Sequence, residues 1–213
     1  IKLAIAYNII DLGISEFKDT WNLQKELQKK RILGEIEDQL ILVEHPAVYT
    51  LGKNASKEHI LKRKEGVSVI QTDRGGNITF HGPGQLVGYP ILDLNFYKRS
   101  ITWYMRELEQ LMIDVLKEYG IEGSTKKGLT GTWVKDHKIA ALGVRISRWV
   151  TMHGFSLNIN PDLDYYQDII PCGIQGYGVT SMAMIMGEEV PSIDEVKIKM
   201  VDYFKNRFDG FKN

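Results

Sequence analysis

The order of apolar and polar positions along the chain changes period several times, and each change marks an element. Ile1 to Ile9 is apolar and branched enough to predict a strand, and Ser15 to about Gly34 predicts a charged helix with Phe17, Trp21 and Leu27 facing inward. Asp38 to Glu44 and Ala47 to Leu51 are short and rich in branched and aromatic residues, which predicts two β segments. A polar, lysine-rich stretch from Gly52 to Gly66 leads to a buried strand expected over Val67 to Gln71. Arg74 to Leu94 mixes glycines with β-formers and predicts two strands around a turn at His81-Gly82-Pro83-Gly84. The clearest helix starts at Ser100: Ile101, Tyr104, Met105, Leu108, Leu111, Met112 and Val115 keep the helical period, and Gly120 ends it. Strand patterns return at Gly131 to Val134, Lys138 to Ile146 and Val150 to Ile159. A capping box, Ser192-Ile193-Asp194-Glu195, opens a last helix that runs to about Phe208.

Strand clusters separated by helices, without regular βαβ alternation, predict an α+β fold. One domain is expected over residues 1–213, with a mixed, mostly antiparallel sheet flanked by helices; no repeat or low-complexity linker divides it.

Composition narrows the functional classes. The 213 residues are 43% hydrophobic and 25% charged, which suits a globular chain able to bury a sizeable core. Lys and Arg number 27, as do Asp and Glu, so no global basic excess points to nucleic acid or to an anionic membrane. The single Cys excludes an internal disulfide framework, and no Cys/His spacing suits a structural zinc. No stretch approaches the ~18 apolar residues of a spanning helix, and the apolar start is too short for a signal peptide. The expected setting is cytoplasmic and reduced, which makes the sequons Asn54-Ala55-Ser56 and Asn77-Ile78-Thr79 chance matches.

Three clusters could carry chemistry. Cys172 lies in Pro171-Cys172-Gly173, where the flanking residues could present a thiol on a tight turn. A lone Cys is more often a small buried hydrophobe, and nucleophilicity needs a nearby cation to favour the thiolate. His81, His137, Lys138, Arg145 and His153 are the candidate cations. Lys138 opens an apolar strand; such a Lys ordinarily extends to solvent, but a desolvated one can shuttle protons. Arg74-Gly75-Gly76-Asn77-Ile78-Thr79-Phe80-His81-Gly82-Pro83-Gly84-Gln85 lets backbone approach a ligand closely, yet fits neither a dinucleotide fingerprint nor a Walker loop, and equally suits a β-bulge or tight bend. His153-Gly154-Phe155-Ser156-Leu157-Asn158-Ile159-Asn160 reads by itself as the alternation of a half-exposed strand.

In this order the clusters resemble the octanoyltransferase family of lipoate biosynthesis. Arg74, Gly75, Gly76, Thr79, Phe80, His81, Gly84, Gln85 and Tyr89 match its signature. Glu44-His45-Pro46 with Tyr49, Thr50 and Gly52, then Lys138-Ile139-Ala140 and Pro171-Cys172-Gly173, match as well, so the resemblance covers roughly residues 40–180. It implies the fold shared with biotin and lipoate ligases. It also implies transfer of an octanoyl group from acyl carrier protein to a lysine of a lipoyl domain through an acyl-thioester on Cys172, with Lys138 as its partner. Arg74 to His81, Ala141, Leu142, Gly143, Gly154, Phe155 and Ser156 would hold the acyl chain and thioester. The implied acceptors are lipoyl domains of 2-oxoacid dehydrogenase complexes and the glycine cleavage H protein. The implied enzyme is a monomer without metal, nucleotide or prosthetic group. Lys53 to Lys64 and Lys126-Lys127 are candidate docking charges for an acidic partner, or a solvated surface.

Rival readings are an ATP-dependent lipoate or biotin ligase, an amidotransferase between lipoyl domains, and a non-catalytic acyl-binding module. The Gly-Arg-Gly-Arg type adenylate loop of biotin ligases is missing from the chain, which weighs against a ligase.

Overall fold

The computed structural model describes residues 7–62, 64–170 and 176–209. In chain order these form β1 (Tyr7–Ile14), α1 (Phe17–Ile32), β2 (Asp38–Glu44), β3 (Val48–Leu51), β4 (Ser68–Gln71), β5 (Ile78–His81), β6 (Gln85–Ile91) and α2 (Ile101–Glu118). β7 (Ser124–Lys126), β8 (Leu129–Val134), β9 (His137–Ser147), β10 (Val150–Asn158), β11 (Gly178–Val179), α3 (Met182–Met186) and α4 (Ile193–Asp209) follow. The larger sheet runs β1-β2-β6-β10-β9-β8-β7, antiparallel except at β1–β2. β11 pairs in parallel with the start of β9. A second sheet, β4-β3-β5, is parallel between β3 and β4 and antiparallel between β3 and β5. The mixed α+β sheet flanked by helices is the expected fold.

Period-two alternation sorts the larger sheet into two faces. Leu40, Leu42, Leu86, Phe155 and Leu157 join Leu108, Met112 and Val115 of α2 and Met200 and Phe204 of α4 in one apolar core. Ile41, Val43, Val87 and Tyr89 turn the other way, toward Phe17 of α1 and Val48 of the small sheet. With both faces covered, every residue of β6 and β10 is buried.

α2 and α4 follow their expected patterns. The Ser100 hydroxyl accepts from the Trp103 N–H, Gly120 lies just past the helix end at φ +70°, and Ser192 and Glu195 form the capping box. In α1, Phe17, Trp21 and Leu27 face inward as expected, the last two half-buried against the core, but the remaining buried positions, Thr20, Gln24, Gln28 and Arg31, are polar and were not anticipated. That polar face has a physical cause. β10 pairs with β6 only from Phe155 onward, so some backbone groups on that edge of its first half need partners outside the ladder. The Gln24 side-chain oxygen accepts from the His153 N–H at 2.8 Å, and the Gln28 amide donates to the Val150 carbonyl at 2.9 Å.

Three other expectations need adjusting. Val67–Gln71 was expected to be buried; β4 starts at Ser68 and, as an edge strand, is partly exposed. The two strands around the His81–Gly84 turn exist, but β5 belongs to the small sheet and β6 to the large one. The short elements over 163–189 carry too little periodicity to be anticipated. Residues 1–6 of the first expected strand lie outside the described residues, and β1 extends onward to Ile14.

Candidate active site

A cavity of about 520 Å³ lies between the loop that precedes β5 and the middle of β9 and β10. Residues 74–79 with His81 form one wall, 138–144 a second and 153–156 a third, so the three clusters singled out in the sequence converge on one space. Phe80 does not line it. Successive strand residues point to opposite faces, and Phe80 turns into the small sheet's core, stacked on Tyr165 at 4.5 Å between centroids.

The loop is held from below and from both sides. The buried Arg74 guanidinium donates to the Thr50 carbonyl at 2.8 Å and hydroxyl at 2.9 Å, and to the Gly75 carbonyl at 3.0 Å. Gly52 donates to the Asn77 carbonyl, Asn54 to that of Gly76, and Gly75 to that of Val144. Glycine is required at Gly52, where a Cβ would stand 2.2 Å from the Gly76 oxygen, and the fit is tight at Gly143, where one would stand 3.0 Å from the Gly75 oxygen. Asp73 anchors the loop to the sheet, accepting from His153 Nε2 at 2.7 Å and ion-pairing with Arg145.

Hydrogen-bond chemistry assigns the tautomers of the three buried histidines. Gln85 uses its amide nitrogen toward the Phe80 carbonyl, the Asn158 side-chain oxygen and the Tyr166 hydroxyl, so its oxygen accepts from His81 Nδ1 at 2.7 Å. His81 Nε2 then carries the lone pair. His45 Nδ1 must donate to the Ser15 carbonyl at 2.6 Å, which makes Nε2 the acceptor of the Tyr89 hydroxyl at 2.8 Å. His153 donates from Nε2 to the Asp73 carboxylate. Burial, the largest cause in each case, pushes His45 down to about 4 and His81 and His153 to about 3. The positive charges of Arg74 and Arg145 add to the effect on His153. Burial raises the Tyr89 hydroxyl, so it stays protonated. The region behind the loop is therefore polar, closely hydrogen-bonded and uncharged at its imidazoles.

Lys138 sits at the second wall, half-buried, near the start of β9. β8 pairs with that start along one edge, Trp133 opposite Lys138, and β11 pairs along it too, Val179 opposite Lys138. The Thr180 N–H donates to the Lys138 carbonyl at 2.9 Å. Cys172, with Pro171 and Gly173, lies outside the described residues. The described chain on its N-terminal side is tied by the Ile170 N–H to the His59 carbonyl at 2.8 Å, and on its C-terminal side Tyr177, Gly178 and Val179 line the cavity.

Several site residues carried no readable signal. Asp73 only precedes the glycine pair, Trp133 reads as an ordinary strand aromatic, and Tyr177 to Val179 form no pattern. The one available cue was the spacing of Thr20, Gln24 and Gln28, which puts a polar stripe on α1. Of the candidate docking charges, Lys126 is paired with Asp136 at 2.8 Å and Lys64 sits over the Tyr165 ring at 3.8 Å, whereas Lys53, Lys57, Lys62 and Lys127 are exposed. Arg63 lies outside the described residues. Among the described residues no cluster of three or more His, Cys, Asp or Glu could hold a metal ion, and no helix is long and apolar enough to cross a membrane.

A family model described as the lipoyl protein ligase A/B catalytic domain matches residues 16–205. An octanoyltransferase of Flavobacterium johnsoniae is 44% identical over 221 residues, covering 94% of this chain and 95% of the relative. One from Solibacter usitatus is 47% identical over 203 residues, covering 93% of this chain and 91% of the relative. Among solved structures, lipoate-protein ligase A bound with ATP superposes with a TM-score of 0.77 at 14% identity, covering 94% of this chain and 85% of that one. Biotin protein ligase from Aquifex aeolicus, in complex with biotin and ATP, superposes at 0.62 and 16% identity, covering 96% of this chain and 72% of that one. Likeness at such low identity concerns the fold.

Proposed function

The chain belongs to the lipoyl protein ligase A/B catalytic domain family, and we propose that within it the chain is an octanoyltransferase that charges Cys172 and discharges it onto a lipoyl-domain lysine. The supporting observation is the single cavity on which the Arg74–His81, Lys138–Gly143 and Gly154–Ser156 stretches converge. The relatives that share 44% and 47% of their residues with this chain are octanoyltransferases. The ligases share its fold at 14% and 16% identity, so they bear less on its chemistry.

In this reading the Cys172 thiol gives its proton to Lys138, and the thiolate attacks the thioester carbonyl of octanoyl-acyl carrier protein. A bond forms between Cys172 sulfur and the acyl carbon, the bond to the carrier sulfur breaks, and that departing thiolate takes the proton from Lys138. The acceptor lysine amine then attacks the acyl-enzyme. The carbon–nitrogen bond forms, the Cys172 sulfur leaves as thiolate, and Lys138 takes the proton shed by the nitrogen. Backbone amides of the Gly75–Gly76 loop are the candidate donors to the oxyanion. Apolar cavity wall, Ala141 and Leu142 among it, receives the alkyl chain, each buried CH₂ contributing about 0.8 kcal/mol.

The acceptors we propose are lipoyl domains of 2-oxoacid dehydrogenase complexes and the glycine cleavage H protein, met by a monomer in the cytoplasm. The donor decides between this function and a ligase. Octanoyl-acyl carrier protein and a lipoyl domain should give octanoylated domain without ATP. Product that appears only with free octanoate, ATP and Mg²⁺ would make the protein a ligase instead.

A further inference from the structure

Lys138 reaches the cavity along an unusual path. Its Cα partner on β8 is Trp133, and its stem lies against Gly131 of the same strand, whose backbone has φ +124°. A Cβ on Gly131 would meet the Ala140 carbonyl oxygen at 2.8 Å and lie 3.1 Å from Lys138 Cε and 3.3 Å from Cδ, so the stem lies in the space beside a position that only glycine fills. At its end, Nζ stands over the Trp133 ring, 4.9 Å from the centroid. The ring is itself fixed: it is 3% exposed and meets Tyr177 edge to face at 5.2 Å between centroids. Its indole Nε1 is buried with no hydrogen-bond partner among the described residues. A tryptophan held in place with its N–H unused contributes through its ring.

We propose that Trp133 is a positioning residue for acyl transfer, its indole face holding the Lys138 ammonium at the cavity wall in the space beside Gly131. The inference rests on the assignment of Lys138 as the proton partner of Cys172. The chemistry explains the choice of partner. A π face attracts an ammonium through its quadrupole and offers no site that can accept its proton. A carboxylate at the same place would neutralise the charge that a thiolate needs and could compete for the proton. Trp133 therefore orients Lys138 and leaves its proton for the reaction.

The test keeps the shape of the ring and weakens only its quadrupole. Trp133 alone is replaced by tryptophans bearing one to four ring fluorines, and the single-turnover rate of Cys172 acylation by octanoyl-acyl carrier protein is followed by intact mass. The rate should fall stepwise, roughly tenfold over the series, with little change in the Michaelis constant for the donor. Trp133→Phe should retain more activity than Trp133→Leu. A flat fluorine series in an enzyme that charges Cys172 normally would overturn the proposal and leave Trp133 as cavity wall only. The underlying assignment fails differently: wild-type protein would show no adduct, or Lys138→Ala would charge as fast as wild type, and the proposal would fall with it.

Discussion

The two faces of the larger sheet are both covered but are built on opposite principles. Against α2 and α4 the sheet packs a continuous apolar core in which Phe204 and Phe208 lie 4.7 Å apart between centroids. Against α1 and the 73–77 loop it buries Gln24, Gln28, Arg74, His45, His81 and His153. The first face is stable through area removed from water, and a misplaced methylene is its main hazard. The second depends on each polar atom finding its partner, because a buried donor or acceptor without one costs about 1–3 kcal/mol. The cavity reaches the second face, where imidazoles are kept neutral and glycines let backbones meet, and Ile101 and Met105 of α2 line it as well.

Breaking the apolar face should have the largest effect on stability. Phe204→Ala should cost about 3–5 kcal/mol in urea unfolding while leaving the transfer rate of the folded fraction nearly unchanged. A large loss of that rate would mean that the two faces are coupled.

Acid should break the polar face. His45, His81 and His153 have folded pKa values depressed below the unfolded value of 6.5. As pH falls below 6.5, the unfolded chain therefore takes up protons that the folded chain does not. The stability these rings contribute is complete above pH 6.5 and declines from there toward the folded values of about 4 and about 3. Between about pH 7 and 5.5 the loss should be about 1 kcal/mol for each ring, read from urea midpoints. In the same interval their three NMR ring resonances should stay unshifted. Resonances that titrate near 6.5 would contradict the assigned burial.

A smaller effect sharpens the comparison. Gln24→Leu adds apolar surface to α1, which would favour an ordinary amphipathic helix. Here it removes the acceptor of the buried His153 N–H and should destabilise by about 2 kcal/mol. A neutral or stabilising result would show that α1 needs no polar stripe.

The apolar face was legible in the sequence because local periodicity specifies it. Ser100, Leu108, Val115, Gly120 and the Ser192–Glu195 box mark their helices without reference to anything distant. The polar face was legible only in part. Arg74, Gly75, Gly76 and Lys138 stood out as motif, but their neighbours arrive through pairings far apart in sequence, such as Asp73 with His153, 80 residues on, and Gln24 with His153, 129 residues on. No local pattern announces such pairings. The assignment of β5 and β6 to different sheets was hidden for the same reason, since a turn between two strands does not say which partners they take. Trp133 escaped notice because its role lies in what stands over it.

The central claim is that acyl transfer passes through Cys172. The direct measurement is intact-protein mass spectrometry after mixing the enzyme with octanoyl-acyl carrier protein in the absence of ATP. One added octanoyl group is expected, mapping to Cys172, released by hydroxylamine, discharged by a lipoyl domain and absent from Cys172→Ser. Acceptor octanoylation without any adduct, or at wild-type rate in Cys172→Ser, would contradict the claim.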